Sequence, residues 1–197
     1  MPNKICFLYT ETNGLHQENK DVDKKKIYLY ARLVRLNYEI GYIDNKINEF
    51  IIEKDEKIIV KPRCMYIPPE TSQFHGLTQD IANKEGIEIE SILLQLKDDL
   101  KNVSIIVSHN IDFHLRTLMA EFVRYNISID FSNYILIDTI SFFHEYGFIK
   151  LKDLATKLKV KEIGSDNNSN KEIIRQVFFK LYKKFKKSIK SIDNILV

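Results

Sequence analysis

The chain has only two cysteines, Cys6 and Cys64. Two cysteines make no disulfide framework, and their spacing is not that of a zinc site. Both read as free thiols, which points to a reducing intracellular compartment, cytoplasm or nucleus. Long apolar runs are missing too. None reaches the ~18 residues of a membrane span, so no membrane association is expected. The N-terminus carries no signal-peptide pattern and enters an apolar run at Ile5. There is no internal repeat and no long linker. What remains is an ordinary globular balance, 44% hydrophobic and 29% charged over 197 residues, enough for one well-filled domain and short for two. The expected layout is a single domain over residues 1–190 with a tail at 191–197.

Charge is modest in total and uneven in place. Residues 171–197 hold eight Lys or Arg against two acids, a net of +6 within a total of +3. The basic residues Lys171, Arg175, Lys180, Lys183, Lys184, Lys186, Lys187 and Lys190 form a C-terminal helix that is either a phosphate-tracking surface or a solvated face. The richness in Lys, Ile and Asn is that of AT-rich coding and points to a viral or parasitic source.

The apolar pattern gives the elements. Residues 4–10 read as a buried strand. Ile27–Leu36, Tyr42–Ile43 and Ile47–Val60 supply further strand segments, with turns at Asp44-Asn45 and Lys54-Asp55-Glu56. Together these predict three successive antiparallel strands. Pro62, Pro68 and Pro69 make a loop. Ile89–Leu100 has helical apolar spacing, Val103–Ser108 is a β-branched strand, and Phe113–Tyr125 is helical with Asp112 as its cap. Tyr134–Ile137 is a strand, with Asp138 or Thr139 capping the helix after it. Leu151–Leu158 and Lys171–Lys187 are helices. Three strands followed by helices alternating with two more strands predict an α/β fold, a mixed five-stranded sheet flanked by helices.

One segment carries the most information. Leu8-Tyr9-Thr10-Glu11-Thr12-Asn13-Gly14-Leu15 follows the first strand and ends at a turn. It resembles the first motif, F-D-x-E-T-T-G-L, of the 3′–5′ exonucleases with four acids and a histidine (the DEDDh group of the ribonuclease H-like superfamily, proofreading type). Lys61-Pro62, Ile67-Pro68 and His75-Gly76-Leu77-Thr78 resemble that family's K-P, I-P and H-G-I-T stretch. Ser108-His109-Asn110-Ile111-Asp112-Phe113-His114 resembles the second motif, A-H-N-x-x-F-D. Ile137-Asp138-Thr139 resembles its x-D-T strand end, and Leu151, Leu154 and Leu158 match the leucines before the third motif. The five stretches come in the family's order and imply the ribonuclease H-like fold.

The resemblance also implies what the active residues should be. In that family four carboxylates hold two divalent metals, and a histidine acts as general base. Here Tyr9 stands at the first acid and Glu11 at the second. His114 stands at the third. Ser165 falls at the histidine and Asn170 at the last acid, in the register that aligns Val177–Leu181 with the family's final helix. A slip of one residue instead places Asp166 and Lys171 at those positions. One acid of four is thus retained, Glu11. No metal is expected, unless the chain is active, when Mg²⁺ or Mn²⁺ would serve. Glu11 with His114 is the remaining candidate pair for an altered site suited to Zn²⁺ or Mn²⁺, but two ligands seldom hold a metal.

By the same resemblance Thr12, Asn13, Gly14 and Leu15, with His75, Gly76 and Leu77, approach the substrate strand, while His109 and Asn110 stabilise the turn into the helix and lie beside it. Lys183, Lys184 and Lys187 are the candidate phosphate contacts of the basic helix. Phe142, Phe143, Tyr146 and Phe148 read as core rather than stacking residues. The expectation is a pseudo-exonuclease with a nucleic-acid-binding or scaffold role. Its partners would be single-stranded DNA or RNA and a protein of a DNA replication, repair or other nucleic-acid complex. Some family members form dimers, so a homodimer is a further expectation. The alternative is an active divalent-metal-dependent 3′–5′ exonuclease with rebuilt ligands.

Overall fold

A computed structural model describes residues 3–44, 46–47, 49–141, 148–160 and 170–185, with side chains of the last helix as far as Tyr182. Five strands, β1 (Lys4–Thr12), β2 (Leu33–Asp44), β3 (Glu49–Ile59), β4 (Val103–Ser108) and β5 (Ile135–Asp138), form one sheet in the order β3-β2-β1-β4-β5. β1, β2 and β3 pair antiparallel, while β4 and β5 run parallel to β1. The expected mixed α/β sheet is therefore present.

Among the described residues six α-helices accompany it: α1 (Pro69–His75), α2 (Gln79–Glu85), α3 (Ile89–Asp99), α4 (Ile111–Arg124), α5 (Leu151–Lys157) and α6 (Asn170–Phe185). β1 has buried apolar side chains on both faces because it is central. Cys6 and Leu8 face a core made with α3 and α4. Ile5 and Phe7, alternating with them, face a second core made with α5 and α6. A smaller cluster of Val34, Ile67, Leu77 and Ala82 lies under α1 and α2.

Several local expectations are corrected. Lys24–Leu29 is a 3₁₀ helix rather than the start of a strand. Asp23 accepts from Lys25 N at 2.9 Å, and Arg124 Nη2 donates to the carbonyls of Ile27 and Tyr30, so side chains hold these backbone groups in place of a strand ladder. Lys54-Asp55-Glu56 is not a turn but continuous β3, paired with Ile40, Glu39 and Tyr38. Tertiary partners override its turn propensity, with Lys54 reaching Asp99 at 2.6 Å and Lys171 reaching Asp55. Pro69 opens α1, at the position where a missing N–H costs nothing.

Asp112 does not cap α4; it is exposed and pairs with Arg116. The carboxylate of Asp138, at the end of β5, does that work. It accepts from Asn110 N at 2.9 Å and Ile111 N at 3.0 Å, and from Ile140 N at 3.0 Å. Asn110 sits in the left-handed region, φ 64°, which Asn tolerates better than most side chains. The predicted tail at 191–197 lies outside the described residues.

Candidate functional site

A cleft of about 530 Å³ opens beyond the C-terminal ends of β1 and β4. There the strand order reverses, β2 and β3 lying on one side of β1 and β4 and β5 on the other, the switch point at which open α/β sheets commonly bind ligands. The cleft is lined from β1 and its loop by Tyr9, Thr10, Glu11, Thr12, Gly14 and Leu15. From α1 come Thr71, Phe74 and His75, and from the β4–α4 junction His109, Asn110, Phe113 and His114. Phe148, Lys150, Leu151 and Asn170 complete the lining. The fold thus gathers Tyr9, Glu11, His114 and Asn170 around one space. Ser165 and Asp166 lie outside the described residues.

His114 is sealed. Its Nδ1 accepts from Thr10 N at 3.1 Å and from Thr10 Oγ1 at 2.7 Å. Its Nε2–H donates to the His109 carbonyl at 3.1 Å. Both nitrogens are occupied in the neutral tautomer, and burial pushes the imidazole down to about 3. The Tyr9 ring packs on it, with centroids 4.7 Å apart. Burial, with the Glu11 charge, pushes the Tyr9 phenol up to about 12.

Glu11 is directly opposite Arg35 in the β1–β2 ladder, and its Oε2 lies 2.8 Å from Arg35 Nη1. Burial pushes the Glu11 carboxyl up to about 7, against the opposing pull of Arg35 and Lys57. Arg35 Nη1 also donates to the His75 carbonyl at 3.3 Å. No motif in the sequence points to this guanidinium.

Of the expected strand-contacting residues, Thr12, Gly14, Leu15 and His75 line the cleft, whereas Asn13, Gly76 and Leu77 do not. Asn13 is tied into the loop, accepting from Arg32 N at 2.8 Å and donating to the Tyr66 carbonyl at 3.1 Å. Gly76 ends α1 with φ +70°, a conformation that favours glycine. Leu77 is fully buried in the core under α2. His109 holds two loops: its Nε2–H donates to the Ile149 carbonyl at 2.8 Å, and its Nδ1 accepts from Thr139 Oγ1 at 2.8 Å.

The rim is apolar and exposed. Leu15 is 82%, Phe74 81% and Phe148 69% accessible, all three lining the cleft. At that exposure Phe148 is not a core residue. Phe142, Phe143 and Tyr146 lie outside them. Phe74 and Lys150 escape the sequence motifs because neither falls inside one. The two short helices around His75 leave no clear apolar period to place Phe74.

The basic helix is also partly corrected. Lys171 is buried against Asp55 and donates to the Glu56 carbonyl at 2.9 Å, and Arg175 Nε meets Glu39 Oε2 at 2.7 Å. These cations fasten α6 to the sheet. The side chains of Lys183 and Lys184 are not among those described, and Lys186, Lys187 and Lys190 lie outside the described residues.

The donor set does not fit a two-metal site. Glu11 is the only acid lining the cleft among the described residues, and it faces a guanidinium. The alternative pair of Glu11 and His114 fails for a different reason, that His114 has no nitrogen lone pair left to give. Among the described residues no three His, Cys, Asp or Glu side chains group as metal ligands. No helix among them is long and apolar enough to cross a membrane.

The sequence matches the exonuclease family (RNase_T) over residues 10–166, and the chain belongs to that family. No curated protein sequence matches it. Among solved structures, it is similar to E. coli Exonuclease I in complex with a dT13 oligonucleotide, at 15% identity and TM-score 0.70, covering 96% of this chain and 43% of that one. It is also similar to a moderately thermophilic Exonuclease I from Methylocaldum szegediense, at 12% identity and TM-score 0.64, covering 92% and 40%. An ExoI/SSB-Ct complex matches at 14% identity and TM-score 0.68, covering 93% and 42%. The chain thus spans about two fifths of the length of these exonucleases.

Proposed function

We propose that this protein is a pseudo-exonuclease, a nuclease-family domain that binds single-stranded nucleic acid in its cleft and does not cut it. The observation that carries this reading is the state of Glu11 and His114. The one family acid retained in the cleft is charge-paired with Arg35, and the residue at a second acid position is a neutral, fully hydrogen-bonded imidazole. Carboxylates gather divalent cations because they are anionic and open; Glu11 is buried with its charge offset by Arg35, and His114 carries no charge.

Binding is supported by the exposed rim of Leu15, Phe74 and Phe148, since base–aromatic stacking needs no metal. That solved relatives are complexes with a dT13 oligonucleotide and with SSB-Ct supports the expected partner classes, single-stranded DNA or RNA and a protein of a replication or other nucleic-acid complex. Incubation with labelled single-stranded DNA and RNA, in Mg²⁺ and in Mn²⁺, tests the reading. Retention of the label without shortening is expected. Shortening that disappears in Glu11→Gln would restore the alternative of an active exonuclease.

A further inference from the structure

The loss of the acids changes the sign of charge that the cleft presents, and Lys150 is where the change shows. Lys150 is the only Lys or Arg lining the cleft among the described residues. It is exposed and makes no ion pair among them, whereas the charge of Glu11 is offset by Arg35. The remaining polar groups of the lining include neutral Asn110, Asn170 and Thr71.

The backbone fixes where this cation stands. Of residues 148–151, Phe148 and Lys150 are exposed in the cleft, while Ile149 and Leu151 are buried in the core shared with α6, Leu151 with an edge on the cleft lining. Lys150 has extended, polyproline II dihedrals, φ −69° and ψ 147°, and it lines the same cleft as Phe148. The Ile149 carbonyl is pinned by His109 Nε2 at 2.8 Å. One short segment therefore offers a stacking face and an ammonium side by side, on a held backbone.

We propose that Lys150 anchors a phosphate of a single-stranded nucleic acid directly, so that the cleft binds its ligand without a divalent cation. This rests on the nucleic-acid reading above and adds to it the group that recognises the ligand. In a metal-dependent site the carboxylates hold the cation and the cation meets the phosphate. Here the protein supplies the cation itself, as a point charge that tolerates many phosphate orientations.

The test is fluorescence anisotropy with a labelled oligothymidylate and a labelled oligouridylate, in EDTA and in Mg²⁺, over a range of salt. Equal affinity with and without Mg²⁺ is expected. Lys150→Gln should weaken binding several-fold at low salt and lower the slope of log K against log salt by about 0.7, the contribution of one single-strand phosphate. Lys150→Arg should restore both, and melting curves should be unchanged because the side chain is exposed. The two oligonucleotides distinguish DNA from RNA as the source of the phosphate. Binding that needs Mg²⁺, or that is the same in Lys150→Gln, overturns the anchor while leaving the nucleic-acid reading intact. No binding of either oligonucleotide under any condition overturns both.

Discussion

Arg35 stands directly across the β1–β2 ladder from Glu11, with Nη1 2.8 Å from Oε2. The positive charge beside Glu11 is thus built into the sheet. Burial alone would favour a neutral carboxyl; Arg35 is the nearest group that opposes it.

Arg35→Met should destabilise the protein by about 3–5 kcal/mol above neutral pH, because it leaves a buried carboxylate without its partner. The Glu11 carboxyl is raised in the folded state from its ordinary 4.5 to about 7. Its contribution to stability is therefore fully present below the unfolded value and is lost as pH rises through about 7. Without Arg35 the carboxyl should rise further, so the defect of Arg35→Met should shrink as the group becomes protonated. Urea melts of both proteins at acidic and alkaline pH check this. A defect of the same size at both ends would contradict it.

His114 gives the opposite slope. Its imidazole is lowered from 6.5 to about 3 by burial, so the unfolded chain takes up a proton that the folded protein refuses. Stability from this group is present above about 6.5 and is lost as pH falls toward 3, by an amount on the order of a few kcal/mol. His114→Gln keeps an acceptor for Thr10 N but does not titrate. It should cost about 1–3 kcal/mol at neutral pH and show a shallower loss of stability in acid. An unchanged acid slope would place the sensitivity elsewhere.

Asp138 joins β5 to α4 through its contacts with Asn110 N and Ile111 N. Asp138→Ala removes the acceptor for these N–H groups and for Ile140 N, and should cost about 2 kcal/mol. The expected drop in melting temperature is about 4–8 °C for a chain of this size. A drop under a degree would mean that water replaces the carboxylate.

The apolar rim predicts affinity changes without stability changes. Phe148→Ala and Phe74→Ala should each weaken single-strand binding by about 1–3 kcal/mol, the range for one stacked base. Neither should move the melting temperature, since both rings are exposed. Affinity equal to that of the unmodified protein would remove the rim from the interface.

The sheet was legible where the sequence is locally consistent. Val103–Ser108 is β-branched and buried, and β4 has the same limits. The alternation of Ile5, Cys6, Phe7 and Leu8 serves two cores, which is why the run looks continuously apolar. The 3₁₀ turn at Lys24–Leu29 and the unbroken β3 were not legible, because both depend on remote side chains, Arg124 for the first and Asp99 and Lys171 for the second. At the site, Tyr9, Glu11, His114 and Asn170, which the motifs single out, all line the cleft. They could not locate Arg35, whose importance comes from strand register, or Lys150, whose importance comes from what the cleft lacks.

The most direct measurement is a time course of 3′–5′ degradation on end-labelled single-stranded DNA and RNA, with Mg²⁺ or Mn²⁺ in excess. Glu11→Gln serves as the paired control. Loss of the two-metal chemistry predicts full-length label throughout, identical for the two proteins, under conditions where anisotropy shows the strand bound. A ladder of shortened products made by the unmodified protein and absent with Glu11→Gln would contradict it.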